Sequence, residues 1–309
     1  MTARRPPLDA AILVPFAIFT LIWGSTWIVI RDQLATVSPH WSVTYRFIIA
    51  ASAMMVLAKV QGQSLRLGRD GMIAALVIGV SQFFINFNSV YLAERHITSG
   101  LVATIFALLL IPNAILARIF LGHRVHGRFM LGSAVAVAGI ACLFAHEIGL
   151  HPLGFREVGV GLALTLVGMV GASTANVYQA MERARRHPLT ALLAWSMAIG
   201  VLLDATTAVI VAGPPTFDPR PAYLVGLLYL GLAASALAFS LYFPVVRKIG
   251  PARAAYSSVL VPIIAMALST AFEGYRWSPL AAVGAALALG GMLIAMGDRT
   301  PPVPAPDAA

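Results

Sequence analysis

Residues 97–117, Ile97 to Ala117, form a run of 21 positions without a charge, and Pro112 sits inside it. The run is long enough to cross a bilayer as a helix. An interior proline breaks the ladder of a water-soluble helix, whereas a membrane bundle tolerates it because neighbouring groups take up the freed carbonyl. About 150 positions on, the pattern returns: 254–272 is a second uncharged run, with Pro262 near its middle. The stretches holding these runs open on Tyr91 and Tyr242. They close on Gly122-His123-Arg124 and Gly274-Tyr275-Arg276. A duplicated, proline-interrupted apolar helix points to a transporter built from two repeats.

The rest of the chain follows the same pattern. It is 59% hydrophobic and 11% charged, with a mean hydropathy of +0.85; an ordinary globular domain is roughly 25% charged. Apolar segments fall at 10–30, 40–58, 71–93, 97–120 and 129–145, then at 158–181, 189–212, 222–246, 254–272 and 279–296. The expected fold is therefore an all-α integral membrane protein with ten transmembrane helices. Membrane strands would alternate over about ten residues rather than run apolar for about 20. The first segment exceeds the ~7–15-residue core of a signal peptide and is expected to stay as the first span.

The lone Cys142 gives neither a disulfide framework nor a cysteine metal site. The net charge of +9 is not gathered into one patch, so no nucleic-acid partner is expected. The basic residues recur between apolar runs, where they report topology. With a cytoplasmic N-terminus, fifteen of the 21 Lys and Arg fall on the cytoplasmic side. Arg31, Arg95, Arg156, Arg220 and Arg276 fall on the far side, and Arg46 lies within a span. Both termini are thus expected in the cytoplasm of a cell with a bacterial-type inner membrane. Five spans per half invert the second half, so 1–148 and 149–298 read as inverted five-helix repeats. The tail 299–309 is expected to be disordered. Trp23-Gly24-Ser25-Thr26-Trp27 and Gly171-Ala172-Ser173-Thr174-Ala175 repeat at a similar offset.

Over nearly its whole length the chain resembles the drug/metabolite transporter superfamily, in its ten-helix EamA-like branch. Leu21-Ile22-Trp23-Gly24-Ser25-Thr26 carries the likeness, with Tyr45-Arg46-Phe47 after Pro39 and the tyrosine-led entries to spans 4 and 9. The layout is similar to that of bacterial amino-acid exporters of the YddG type. The resemblance implies a secondary transporter that exports small metabolites, amino acids foremost, by alternating access and without a cofactor. Where the family often ends spans 4 and 9 on Gly-Glu-Arg, this chain has His123 and Tyr275. No role of that glutamate carries over. A multidrug or cationic-compound exporter is the main alternative; a channel and a membrane-embedded enzyme are the other classes.

Polar groups in hydrocarbon are costly unless they line a cavity or pair with one another. Gln82 and Asn86 share a face of span 3, as do Ser173, Asn176 and Gln179 in span 6. Ser235 and Tyr242 in span 8, Tyr256 and Ser257 at span 9, and Trp23 in span 1 complete the candidate substrate-binding set. The competing role for each serine or amide is a helix–helix hydrogen bond, worth about 0.6 kcal/mol. Two charges lie within spans. Arg46 would attract a substrate carboxylate, and Asp204 would carry a coupling proton, unless each serves the scaffold through a partner. Pro112 and Pro262 are candidate hinges. Trp27, Trp41 and Trp277 lie near span ends, the usual place of interfacial anchors. The histidines sit at span ends or in loops without a ligand set, so no metal is expected. No base–nucleophile set appears, which disfavours an enzyme, and no P-loop appears, which excludes direct ATP use. Gly284 with Ala288 and Gly291 with Ala295 permit close helix packing or a homodimer.

Overall fold

Long apolar sequence satisfies its backbone internally by forming helices. The computed structural model describes residues 10–122, 127–150, 155–249 and 257–296, and shows helices and short connections with no strand among them. In chain order these are α1 (Ala10–Gln33), α2 (Pro39–Val60), α3 (Gly68–Ala93), α4 (Ser99–Leu121) and α5 (Gly127–Leu150). The second half gives α6 (Phe155–Ala180), α7 (Leu189–Ala212), α8 (Pro221–Val246), α9 (Ser257–Phe272) and α10 (Pro279–Met296). Helices α1 to α8 are long and apolar enough to cross a membrane; α9 and α10 supply shorter apolar stretches. Local signals fix their ends. The Ser38 hydroxyl accepts the Trp41 N–H at the start of α2, with Pro39 in the first turn, and Gly122 closes α4 at φ 69°. The tail 299–309 and Tyr256 lie outside the described residues.

The packing repeats with the sequence. Helix α2 packs on α7, α4 on α9 and α5 on α10; α1 packs on α8 and α9 as α6 packs on α3 and α4. Exchanging each helix for the one five places on returns these same neighbours, so the fold is a two-repeat bundle. At one end of it, here called distal, α1, α3 and α9 finish and α4 begins.

Two features break the regular ladder at matching places. The middle of α3, Gly79–Asn86, and the middle of α8, Tyr229–Leu237, are wound as wide π-type turns. Each π segment receives a close backbone approach at a glycine. A methyl on Gly79 would come within 2.7 Å of the Ser196 carbonyl of α7, and one on Gly231 within 3.1 Å of the Arg46 carbonyl of α2. In α4 a short 3₁₀ turn, Ala107–Leu109, precedes Pro112, whose ring nitrogen cannot bond back into the ladder. Pro262 lies inside α9.

Helices α5 and α10 meet backbone to backbone. A methyl on Gly139 would sit 2.3 Å from the Ala288 nitrogen, and one on Gly291 2.3 Å from the Ala136 nitrogen. The small-residue face of α10 is thus used within the chain, which resolves the choice between close packing and a dimer for that face. Gly291→Leu should force these helices apart and destabilise the protein by about 1–3 kcal/mol, read as a lower thermal unfolding midpoint in detergent.

Candidate functional site

A cavity of about 140 Å³ lies among α1, α2, α3, α4, α6, α8 and α9, and leaves α5, α7 and α10 outside its wall. At roughly 30 Å³ per water it has room for about five waters or one small metabolite. Its apolar side is aromatic. The Trp23 indole N–H donates to the Ala234 carbonyl, within the π segment of α8, at 3.1 Å. That bond orients a ring packed at 4.9 Å on Tyr242 and 5.4 Å on Phe239. One turn on, Trp27 is 8% exposed, lines the same cavity and packs at 5.8 Å on Phe106. The expected interfacial anchor at Trp27 is therefore corrected: helix spacing carries it onto the face of Trp23, inward. Trp277, by contrast, is exposed.

The amide side comes from α3 and α6. Gln82 and Asn86 lie on the π segment of α3 and line the cavity with Asn176. Asn176 donates to Asn113 of α4 at 3.5 Å, while the Asn86 side-chain oxygen is buried without a partner. Ser257 and Pro262 of α9 also line the cavity; Pro112 does not. Ser173 and Gln179 are buried in α6 but stand outside the cavity wall. Of the candidate set, Trp23, Gln82, Asn86, Asn176, Tyr242, Ser257 and Arg46 are brought together around one space.

Arg46 is the one charged side chain among the described lining residues. It is 1% exposed, and its Nε donates to Ser235 at 2.9 Å and its Nη1 to the Tyr91 hydroxyl at 3.3 Å. The guanidinium lies 4.5 Å from the Phe87 ring centre, which steadies a cation further. The Ser235 hydroxyl in turn donates to the Leu230 carbonyl at 2.8 Å, five residues back, a bond that fits the π winding. Ser235 thus serves the site by holding Arg46 rather than by lining the cavity. Among the described residues no carboxylate lies within ion-pair distance of Arg46, whose hydrogen bonds go to two neutral hydroxyls. A buried cation left in that condition is costly unless an anion completes it.

Asp204 stands apart from the cavity. Asn88 of α3 donates to its Oδ1 at 2.6 Å, and the Asn88 oxygen meets His40 Nδ1 of α2 at 2.8 Å. The result is a buried polar chain His40–Asn88–Asp204 across α2, α3 and α7, with Asp204 Oδ2 unpartnered. Asn88 and His40 were not expected here, although a polar residue in mid-span is itself the signal.

The family model described as "EamA-like transporter family" matches this chain twice, over residues 11–145 and 159–297. The chain is 23% identical to the "Probable amino-acid metabolite efflux pump" of Escherichia coli K12, over 89% of this chain and 91% of that one. It is 26% identical to the "Probable terminal-alkyne amino-acid exporter" of Streptantibioticus cattleyicolor, over 88% and 89%. It is also 26% identical to the "Uncharacterized inner membrane transporter YedA" of Escherichia coli K12, over 86% and 83%. A solved crystal structure shares the fold with a TM-score of 0.68 at 19% identity, over 93% of this chain and 96% of its own.

Ser235→Ala should leave the guanidinium Nε–H unpaired in the interior and cost about 1.5–3 kcal/mol, seen as a fall in the unfolding midpoint. Tyr91→Phe removes the longer bond and should cost less.

Proposed function

Because the chain belongs to the EamA-like transporter family, and is a multi-pass membrane transporter rather than an enzyme, we propose that it exports amino acids with apolar side chains. The unpaired guanidinium of Arg46 carries this reading. A free amino acid offers a carboxylate, an ammonium and a side chain. The cavity offers a cation for the first, the unpartnered Asn86 oxygen and neighbouring amides for the second, and Trp23, Trp27, Phe106 and Phe239 for the third. Charge-assisted bonds of a guanidinium to a carboxylate are among the strongest available in a dry site. An organic cation would meet Arg46 and, among the described lining residues, no carboxylate to offset it. The multidrug reading is therefore the weaker one. The names of the relatives support export as the direction of movement.

The remaining parts of the reading follow from topology. All ten helices span the bilayer as two inverted repeats, 1–148 and 149–298, with both termini in the cytoplasm and the distal end outside. Access alternates as the spans around Pro112 and Pro262 rock about the cavity. Pro262, at the cavity wall, and Pro112, beside the 3₁₀ turn of α4, are the flexible joints. Asp204, reached through Asn88 and His40, takes up and releases the coupling proton.

The carboxylate assignment is tested by comparing each amino acid with its decarboxylated amine in calorimetric titrations of the purified protein. Leucine and phenylalanine should bind, and isoamylamine and phenethylamine should bind far more weakly. Arg46→Gln should cost the amino acids about 2 kcal/mol, roughly 30-fold in Kd. Amines that bind as tightly as the amino acids would contradict it. For coupling, Asp204→Asn in proteoliposomes should leave counterflow intact and remove acceleration by a pH gradient; a variant still accelerated would exclude Asp204 as the carrier.

A further inference from the structure

The distal end holds a second charged cluster, with no hydrogen bond or ion pair to Arg46 or Asp204 among the described residues. Glu94, at the end of α3, is 0% exposed, and neither of its carboxylate oxygens has a hydrogen-bond partner. Glu273, at the end of α9, faces it. One Glu273 oxygen accepts the hydroxyls of Ser99 of α4, at 2.6 Å, and Ser269 of α9; the other lies 3.9 Å from Arg31 Nε. Arg31, at the end of α1, also donates from Nη1 to the Glu94 backbone carbonyl. One cluster therefore ties the distal ends of α1, α3, α4 and α9 together, directly above four walls of the cavity. It contains two carboxylates and one guanidinium, and the guanidinium engages the side chain of Glu273 and only the backbone of Glu94. The Glu94 side chain is the uncompensated member.

We propose that Glu94 is a proton-binding site whose occupancy holds the distal end of the transporter closed. A fully buried carboxylate beside a second carboxylate cannot stay charged without a large desolvation and repulsion cost. Protonation removes that cost and leaves Arg31 and Glu273 as a neutral pair. Opening the distal end admits water to the cluster, where both acids ionise at little cost. Sodium is the weaker occupant. The two serine hydroxyls point their protons at Glu273, the guanidinium takes the remaining side, and no metal-ligand group of His, Cys, Asp and Glu is found among the described residues.

The surroundings agree. Burial pushes the Glu94 carboxyl well above the usual carboxylate range, Glu273 pushes it further, and Arg31 and Arg46 only partly offset them. Tyr91 lies one turn before Glu94 on its own helix, with Asp204 of α7 on the Tyr91 side as well. Toward α6, His96 is occupied by Glu157 at 2.6 Å. Glu94 is thus held in its neutral form in the closed state and returns to an ordinary carboxylate in the open one. The closed form is then favoured at low pH and is lost as pH rises through the elevated closed-state value. This inference rests on the alternating-access reading but needs no cargo, so it stands or falls apart from the amino-acid assignment.

The test places spin labels at the distal ends of two repeat mates, α1 and α6, as Ala35→Cys and Phe155→Cys in a Cys142→Ala background. Distances are read by double electron–electron resonance in lipid nanodiscs, without substrate, from pH 5 to pH 8. A single short distance is expected at pH 5. A longer population should grow with pH, by up to about tenfold in the open-to-closed ratio per pH unit, the one-proton limit. Glu94→Gln, a neutral mimic, should hold the short distance at every pH. A labelled parent whose distances do not change over this range overturns the proposal, even if Glu94→Gln cannot be recovered. So does a Glu94→Gln variant that shifts like its parent, or a shift reproduced at fixed pH by exchanging choline for sodium.

Discussion

In a bundle this apolar, every backbone group that leaves the α-helical ladder has to be met by another part of the protein. The two π segments are where this requirement organises the molecule. In α8 the wide turn contains the Ala234 carbonyl that takes the Trp23 indole N–H, and Ser235, which bonds both Leu230 and Arg46. In α3 the matching turn carries Gln82 and Asn86 to the cavity wall. π bulges recur at functional sites because they rotate a few side chains out of register without ending the helix. Here one bulge supplies the amides and the other fixes the cation and the largest ring.

The two repeats share a backbone plan and differ in chemistry. Helices α2 and α7 are mates that pack on each other, yet α2 carries Arg46 into the cavity whereas α7 keeps Asp204 outside it, tied to Asn88. Matching packing suits a mechanism in which two similar halves exchange roles. Unlike side chains suit the proposed site, in which the carboxylate end of a cargo is told from the rest. Close glycine contacts, α5 with α10 above all, hold the two halves tightly to each other.

Much of this was legible in the sequence because hydrocarbon leaves so few options. Uncharged runs gave the helices, the 150-residue echo gave the repeats, and isolated polar residues within spans marked the cavity at Gln82, Asn86, Asn176 and Arg46. Other features were not legible. π winding has no local residue signature, so the holding role of Ser235 and the Trp23 bond to the Ala234 carbonyl could not be read. Distance from the span centre suggested an interfacial Trp27, but its helical phase with Trp23 decides the matter. Ser173 and Gln179 share a polar stripe with Asn176 and still miss the cavity, because one helix face is broader than the opening it borders. Glu94 sits at a predicted span end, where a charge normally reaches water; only the convergence of four helix ends shows it buried.

The central claim is that a buried cation, with no carboxylate within ion-pair distance among the described residues, takes one from the cargo. Solid-state NMR on the protein in lipid, with ¹⁵N-arginine and leucine labelled with ¹³C at its carboxylate, measures this directly. The account predicts dipolar coupling between the bound carboxylate and an arginine side-chain nitrogen at about 4 Å or less, charge-assisted contact distance, lost in Arg46→Gln. Bound leucine with no such coupling would contradict it.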